Sequence, residues 1–278
     1  MPRLSIATNS TPDWSLDRLL DFCADDARVE GVGVWQKRLK DTSASAVRKR
    51  MDDAGLSCSS LYFAGGFTQG VDAAMDKVSP LLDQAQTLGA PQILYLPGPR
   101  LDGQDLQTAT RLAREGLERT AEAAAERGIR VGVEPLHPIM AGKYGFACTW
   151  DQTLSLMDGI PNTHLCLDTW NSWWEVGIED KLADSASEIT WIHVCDWKGG
   201  TSANPMNRAT PGDGIIDFES LLSPILSAGF DNWIEFELMQ DKAKPLYTSE
   251  TYADALTRGL DHMESILGNR ETHAIAAE

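Results

Sequence analysis

Four ionisable side chains hold the same kind of position in four successive apolar segments: Glu134 in RVGVE, Asp168 in HLCLD, His193 in WIHVC and Glu237 in WIEFEL. Read as β-strands, these segments place alternate side chains on opposite faces. Val131 and Val133 then oppose Gly132 and Glu134, and Leu165 and Leu167 oppose Cys166 and Asp168. Ile192 and Val194 oppose Trp191 and His193, and Ile234 and Phe236 oppose Glu235 and Glu237. In each segment an aliphatic or Phe face is set against a polar residue at or near the C-terminal end. Three carboxylates brought together repel one another unless a cation neutralises them. Three oxygen donors and one imidazole suit one divalent metal ion. Mn²⁺ is the first choice because the donors are mostly hard, with Mg²⁺, Co²⁺ or Zn²⁺ as alternatives. The competing reading is that these are unrelated polar strand ends. A slip of one pleat would make Glu235 the ligand instead, whereas in register Glu235 lies a layer lower and pairs with Arg130.

Such convergence needs a scaffold that gathers strand ends. Short apolar runs alternate with amphipathic runs along the whole chain. Strands are expected at 4–8, 31–35, 56–63, 92–97, 128–134, 164–168, 191–195 and 233–238, each followed by a helical pattern. Helix caps are expected at Ser15 or Asp17, at Thr149 or Asp151, and at Asp217, with Gly55, Gly89 and Gly229 as stops. Eight strand–helix units in 278 residues predict an α/β fold, a single (β/α)8 TIM barrel whose active face is the C-terminal ends of its strands. One domain is expected over 1–278, with 270–278 as a frayed tail. The runner-up, an open doubly wound sheet, would carry a glycine-rich phosphate loop after an early strand. Neither GVGVW nor GGFTQG fits that pattern.

The net charge of −17 argues against nucleic-acid and anionic-membrane partners, both of which are held largely by Lys and Arg. The five cysteines are odd in number and widely spaced, with no CxxC, so neither a disulfide framework nor a zinc knuckle is expected. No signal-peptide pattern and no bilayer-length apolar run is present. The expected location is cytoplasmic.

The segments VEPLHP, CLDTW, IHVCDW, NRATPGDGIIDF and WIEFEL, in that order and at those strand ends, resemble the xylose isomerase-like barrels. That family includes sugar epimerases, inositol-pathway isomerases and dehydratases, and endonuclease IV. The resemblance covers nearly the whole chain and implies that Glu134, Asp168, His193 and Glu237 hold the metal. It also implies that Glu134 and Glu237 act as the catalytic pair on opposite faces of a substrate, one taking a proton and the other returning it. Many relatives carry a histidine three residues after the Asp of the sixth strand, where this chain has Asn171. The sugar-binding details of the family therefore need not transfer.

A metal ion polarises a carbonyl and acidifies the adjacent C–H, and a base within hydrogen-bond reach removes that proton. The expected function is thus a metal-dependent isomerase or epimerase of carbohydrate metabolism, acting on a keto-sugar or polyol. The alternative is a lyase, dehydrating a keto-inositol or cleaving a 3-keto-glycoside at the same site. His137, just past the fifth strand, is either a further acid–base group or a loop histidine bonded to its neighbours. Arg208 is expected to grip substrate through its planar fork, a role the resemblance supports. Lys143 could do the same or be a surface lysine. Trp35, Trp173 and Trp174 are expected to stack on a sugar face or to pack the loops. Trp170 is read as packing, Trp191 and Trp233 as barrel filling, and His164 as a satisfied core histidine. An abasic-site endonuclease would need a basic groove and more than the five histidines present. The resemblance adds a homo-oligomer as an expectation.

Overall fold

The computed structural model describes residues 1–199 and 206–275, with side chains assigned through residue 268. Eight parallel strands close into a barrel: β1 (Arg3–Ala7), β2 (Val29–Trp35), β3 (Ser57–Gly65), β4 (Gln92–Leu96), β5 (Arg130–Val133), β6 (Thr163–Asp168), β7 (Ile189–Val194) and β8 (Trp233–Phe236). Each pairs with its neighbours in sequence, and β8 closes the ring onto β1. The expected (β/α)8 architecture is what the chain adopts.

The helices lie outside. The main ones are α1 (Leu16–Asp25), α2 (Ala44–Asp53), α3 (Val71–Leu88), α4 (Leu106–Ala125), α5 (Trp150–Met157), α6 (Thr169–Ser172), α7 (Ile178–Asp184), α8 (Phe218–Ser227) and α9 (Tyr252–Ile275). Ser15, Thr149 and Asp217 accept backbone N–H bonds at the starts of α1, α5 and α8, which satisfies donors no helical carbonyl can reach. Gly89 ends α3 at φ +70°, a conformation that costs glycine nothing. The last helix runs through Ile275; residues 276–278 of the expected tail lie outside the described residues. No helix among the described residues is long and apolar enough to cross a membrane.

The barrel interior is packed by matching large and small residues. Trp191 and Trp233 fill it, both almost fully buried, and Tyr62 stacks on Trp191 with ring centroids 5.3 Å apart. A Cβ at Gly31 would come within 2.7 Å of the Trp233 ring, and one at Gly33 would overlap the Glu235 carboxylate. Glycine at these inward positions of β2 is what lets a tryptophan and a glutamate from β8 occupy the barrel axis. Strand register sets the height of the polar groups: Asp168 and Glu235 both pair with His193, and Ser5 pairs with Glu235.

Candidate active site

Glu134, Asp168, His193 and Glu237 converge at the C-terminal mouth. Asp168 and His193 end or nearly end β6 and β7, while Glu134 and Glu237 sit one residue past β5 and β8. All four are buried. His193 Nδ1 is 3.5 Å from Glu134 Oε2 and 3.9 Å from Glu237 Oε2. Donor atoms of Asp168, His193 and Glu237 all lie within 4.8 Å of one another, as do those of Glu134, Cys166 and His193.

Two further side chains tie the cluster together. Arg208 Nη1 lies 2.7 Å from Asp168 Oδ2 and also donates to Glu237 Oε2. Asn171 Nδ2 donates to Glu134 Oε1, and to Asp168 Oδ2 at 3.0 Å. The residue that departs from the resembling pattern is thus a clamp between two of the acids. Asn9 Nδ2 donates to Glu237 Oε1 at 2.8 Å, and its buried Oδ1 has no partner.

Charge decides what the cluster lacks. Three carboxylates face one guanidinium and a histidine ring, so with all three ionised and the imidazole neutral the ensemble is anionic even with Arg208 in place. Burial pushes the Glu134 carboxyl up, and the charges of Asp168 and Glu237 add to that despite the nearby imidazole. Burial acts against ionised Glu237 too, but Arg208 and His193 outweigh it and hold that carboxyl below the ordinary range. Burial works to lower the His193 pKa, yet Glu237 and Glu134 raise it overall. Donor type suits a divalent ion, and the spacing suits one within each of two triads that share His193, Asp168–His193–Glu237 and Glu134–Cys166–His193. His193 Nε2 faces the Tyr62 hydroxyl at 3.3 Å, which leaves Nδ1 on the carboxylate side; a ligand imidazole is commonly fixed through its other nitrogen in this way.

The structure corrects several expectations. Glu235 does not pair with Arg130. Its carboxyl accepts bonds from Ser5 and Ser60 at 3.1 Å and from Ser59, and burial pushes its pKa up to about 8 against those three hydroxyls. Arg130 instead reaches Asn232 Oδ1 at 3.4 Å. Serines suffice because a buried carboxyl that is largely protonated needs hydrogen bonds, not a counter-charge. His164 is half-buried rather than core, at the base of the barrel, where burial and then Arg130 lower its pKa.

His137 is packed into an aromatic cluster, its ring 5.1 Å from both Trp170 and Trp197 and 5.6 Å from Trp174. Its Nδ1 accepts the Ile139 N–H at 3.2 Å. It does not border the cavity over the carboxylates, so the loop-histidine alternative describes its position. Trp173 packs on Trp197, and Trp174 donates from Nε1 to the Asn171 carbonyl at 2.6 Å. Both belong to this cluster rather than to the cavity wall. Trp35 does line the cavity, and Lys143 lines the depression outside it.

A narrow cavity lies above the carboxylates. Its floor is Glu134, Glu237, Arg208, Asn9 and Tyr62; its walls are the apolar Phe63, Leu94, Leu96, Leu136, Met140 and Met239, with Trp35 and Tyr144. Sequence reasoning missed Asn9, Tyr62 and Cys166. Asn9 lies just beyond β1, in the same strand-end position as the acids, and its phase could have found it. Cys166 is inward on β6, with Sγ 3.8 Å from His193 Nδ1; burial keeps its thiol far above the ordinary range.

A short antiparallel ladder, Asp196–Trp197 with Arg208–Ala209, starts the loop that carries Arg208. The Asp196 carboxylate accepts N–H bonds from Gly212, Gly214, Ile216 and Trp197 at 2.8–3.1 Å. One buried carboxylate thereby folds the NRATPGDG segment.

The sequence model of the xylose isomerase-like TIM barrels matches residues 23–266. The chain belongs to that family. It is 24% identical over 217 residues to a putative hydroxypyruvate isomerase of Streptomyces coelicolor, covering 71% of this chain and 75% of the relative. It is 25% identical to a 3-dehydroshikimate dehydratase of Pseudomonas aeruginosa, covering 94% of this chain but 41% of that longer protein. A crystal structure of a Sinorhizobium meliloti 1021 protein superposes with a TM-score of 0.84 at 21% identity, covering 95% of this chain and 98% of the other. That likeness establishes the fold.

Proposed function

We propose that this chain is a divalent-metal-dependent enzyme that moves a proton at the carbon beside a carbonyl of a keto-sugar or polyol, as an isomerase or epimerase. The observation that carries the reading is the shared placement of Glu134 and Glu237: both border one cavity, and both sit within 4 Å of the same His193 nitrogen. Glu134, Asp168, His193 and Glu237 would hold the ion, with Mn²⁺ the first choice. A bound divalent ion supplies Lewis acidity toward a carbonyl oxygen.

The chain's own groups do the rest. Glu134 and Glu237 offer carboxylate oxygens on two sides of the cavity floor, so one can accept a proton from carbon and the other can deliver one. Arg208 and the free Oδ1 of Asn9 orient substrate hydroxyls, and the apolar walls keep bulk water from the reacting carbon. The similarity to a putative hydroxypyruvate isomerase supports this class of reaction.

Similarity to a dehydratase favours one second reading, in which proton removal is followed by loss of water. NMR of a panel of ketoses and keto-inositols in D2O, with and without added Mn²⁺, tests both. Metal-dependent exchange or epimerisation supports the first reading, and elimination supports the second. The absence of both across the panel would sink the catalytic assignment.

A further inference from the structure

Outside the cavity the barrel mouth broadens into a depression that shares Asn9, Trp35, Tyr144 and Met239 with it. Lys37, Lys143 and Lys242 line this depression. They are three of only nine lysines in a chain of net charge −17. Some cations elsewhere find acids, Lys49 with Asp53 at 2.7 Å, Lys181 with Asp151 and Glu175 at 2.7 and 2.8 Å, Arg258 with Asp213 at 2.6 Å, so what sets the mouth lysines apart is that three of them line one depression. Among the described residues none of the three mouth lysines forms an ion pair. Two are held by aromatic rings instead. Lys37 Nζ stands 4.5 Å from the Trp35 ring centroid, and Lys143 Nζ 4.8 Å from that of Tyr144. Both rings are also walls of the inner cavity. One acid, Asp241, lines the depression, and its Oδ1 accepts the Ala243 N–H at 2.7 Å.

Three ammonium groups beside one carboxylate leave the depression with an excess of positive charge, and an anion placed among them relieves their mutual repulsion. In a strongly acidic chain such a patch also focuses the field that draws an anion in. Between the lysines and the carboxylate floor the wall is apolar, with Phe63, Leu96, Leu136 and Met140, so polar recognition is confined to the two ends. We propose that the substrate carries an oxyanion, a carboxylate or a phosphate, at its end remote from the carboxylate cluster, and that Lys37, Lys143 and Lys242 bind it. The proposal rests on reading that cluster as the reacting centre.

Calorimetric titration of the purified protein with sorbitol, gluconate and sorbitol 6-phosphate tests it, against the triple variant K37Q/K143Q/K242Q. At low salt at least one of the two anions should bind about 10-fold more tightly than sorbitol, the gain expected of three partly exposed charge contacts. The advantage should fall to within about twofold in the triple variant, and likewise at high ionic strength, where screening is strong. Affinity for sorbitol should not change. The anion that binds better identifies the group. Anions that bind no better than sorbitol, or an advantage that survives the triple substitution, overturn the proposal. Either result leaves metal-dependent exchange on neutral ketoses intact. A failed catalytic reading instead shows as absence of exchange while the lysine-dependent anion affinity persists.

Discussion

Arg208 and Asp168 form a buried ion pair, Nη1 to Oδ2 at 2.7 Å, and the same nitrogen also donates to Glu237. One guanidinium charge is therefore shared between two of the four candidate metal ligands. Removing the guanidinium leaves buried carboxylates unpaired, at a cost of about 3–5 kcal/mol. Arg208→Met should lower the melting temperature sharply in EDTA, and added Mn²⁺ should restore much of the loss by supplying the missing charge. A melting temperature insensitive to both the substitution and the metal would show that neither Arg208 nor an ion balances the acids.

Glu134 separates metal binding from proton transfer. Gln keeps its shape and one ligand oxygen but cannot accept a proton. Glu134→Gln should reduce deuterium exchange by about 10²–10⁴-fold, the range for loss of an acid–base group, while Mn²⁺ affinity weakens only partly. Metal titration beside the exchange assay separates the two. Full activity in the variant would end the proposed role.

These residues were readable from sequence because strand alternation is strict. One period-2 phase, repeated in four segments, puts Glu134, Asp168, His193 and Glu237 on the inward face, and the barrel follows from eight repeats of strand and helix. What failed depended on contacts between elements distant in the chain. Glu235 takes its partners from β1 and β3, 175 to 230 residues away, and nothing local to WIEFEL announces three serines. His137, Trp173 and Trp174 lie on loops past strand ends, where no periodicity fixes direction. His137 packs against Trp170 and Trp197, Trp173 against Trp197, and Trp174 against His137, rather than lining the cavity.

Glu235 gives a third test. Since burial holds it largely protonated near neutrality, Gln is a near match in shape and charge. Glu235→Gln should change unfolding free energy at pH 7 by no more than about 1 kcal/mol, one hydrogen bond's worth. Glu235→Ala opens a hole and strips three hydroxyls of their acceptor, and should cost about 2–5 kcal/mol. Urea unfolding of both variants checks this. Equal losses would mean that the carboxylate charge, rather than the filled and bonded space, is what the barrel needs.

Asp196 tests whether the loop bearing Arg208 must be built in advance. Its carboxylate takes N–H bonds from four residues, and charged acceptors of this kind are worth about 1.5–3 kcal/mol each when buried. It touches neither the cavity nor the carboxylate cluster. Asp196→Ala should raise KM and lower kcat as Arg208 loses its fixed approach, while Mn²⁺ affinity stays within about threefold because the ligands are borne by the rigid barrel. Loss of metal binding in step with activity would mean that the substitution unravels more than the loop.

Acid sensitivity should map to the far end of that loop. Asp213 accepts from Arg258 Nη2 at 2.6 Å and from the Tyr247 hydroxyl at 3.0 Å, while Tyr247 also receives the Thr210 N–H. Its pKa is held below 3.8, chiefly by the Arg258 hydrogen bond. A depressed folded-state pKa stabilises the protein above the unfolded value, and that contribution is lost as pH falls through the folded one. Arg258 is half exposed, so screening limits the contribution to about 1 kcal/mol. Asp213→Asn should therefore melt below the wild type at pH 7, and the gap should narrow as the pH drops below 3.8. Thermal unfolding across pH 3 to 7, run on both proteins, reads this directly. A gap that is constant with pH would assign the loss to packing around Tyr247, and one that widens in acid would contradict the ionised state of Asp213.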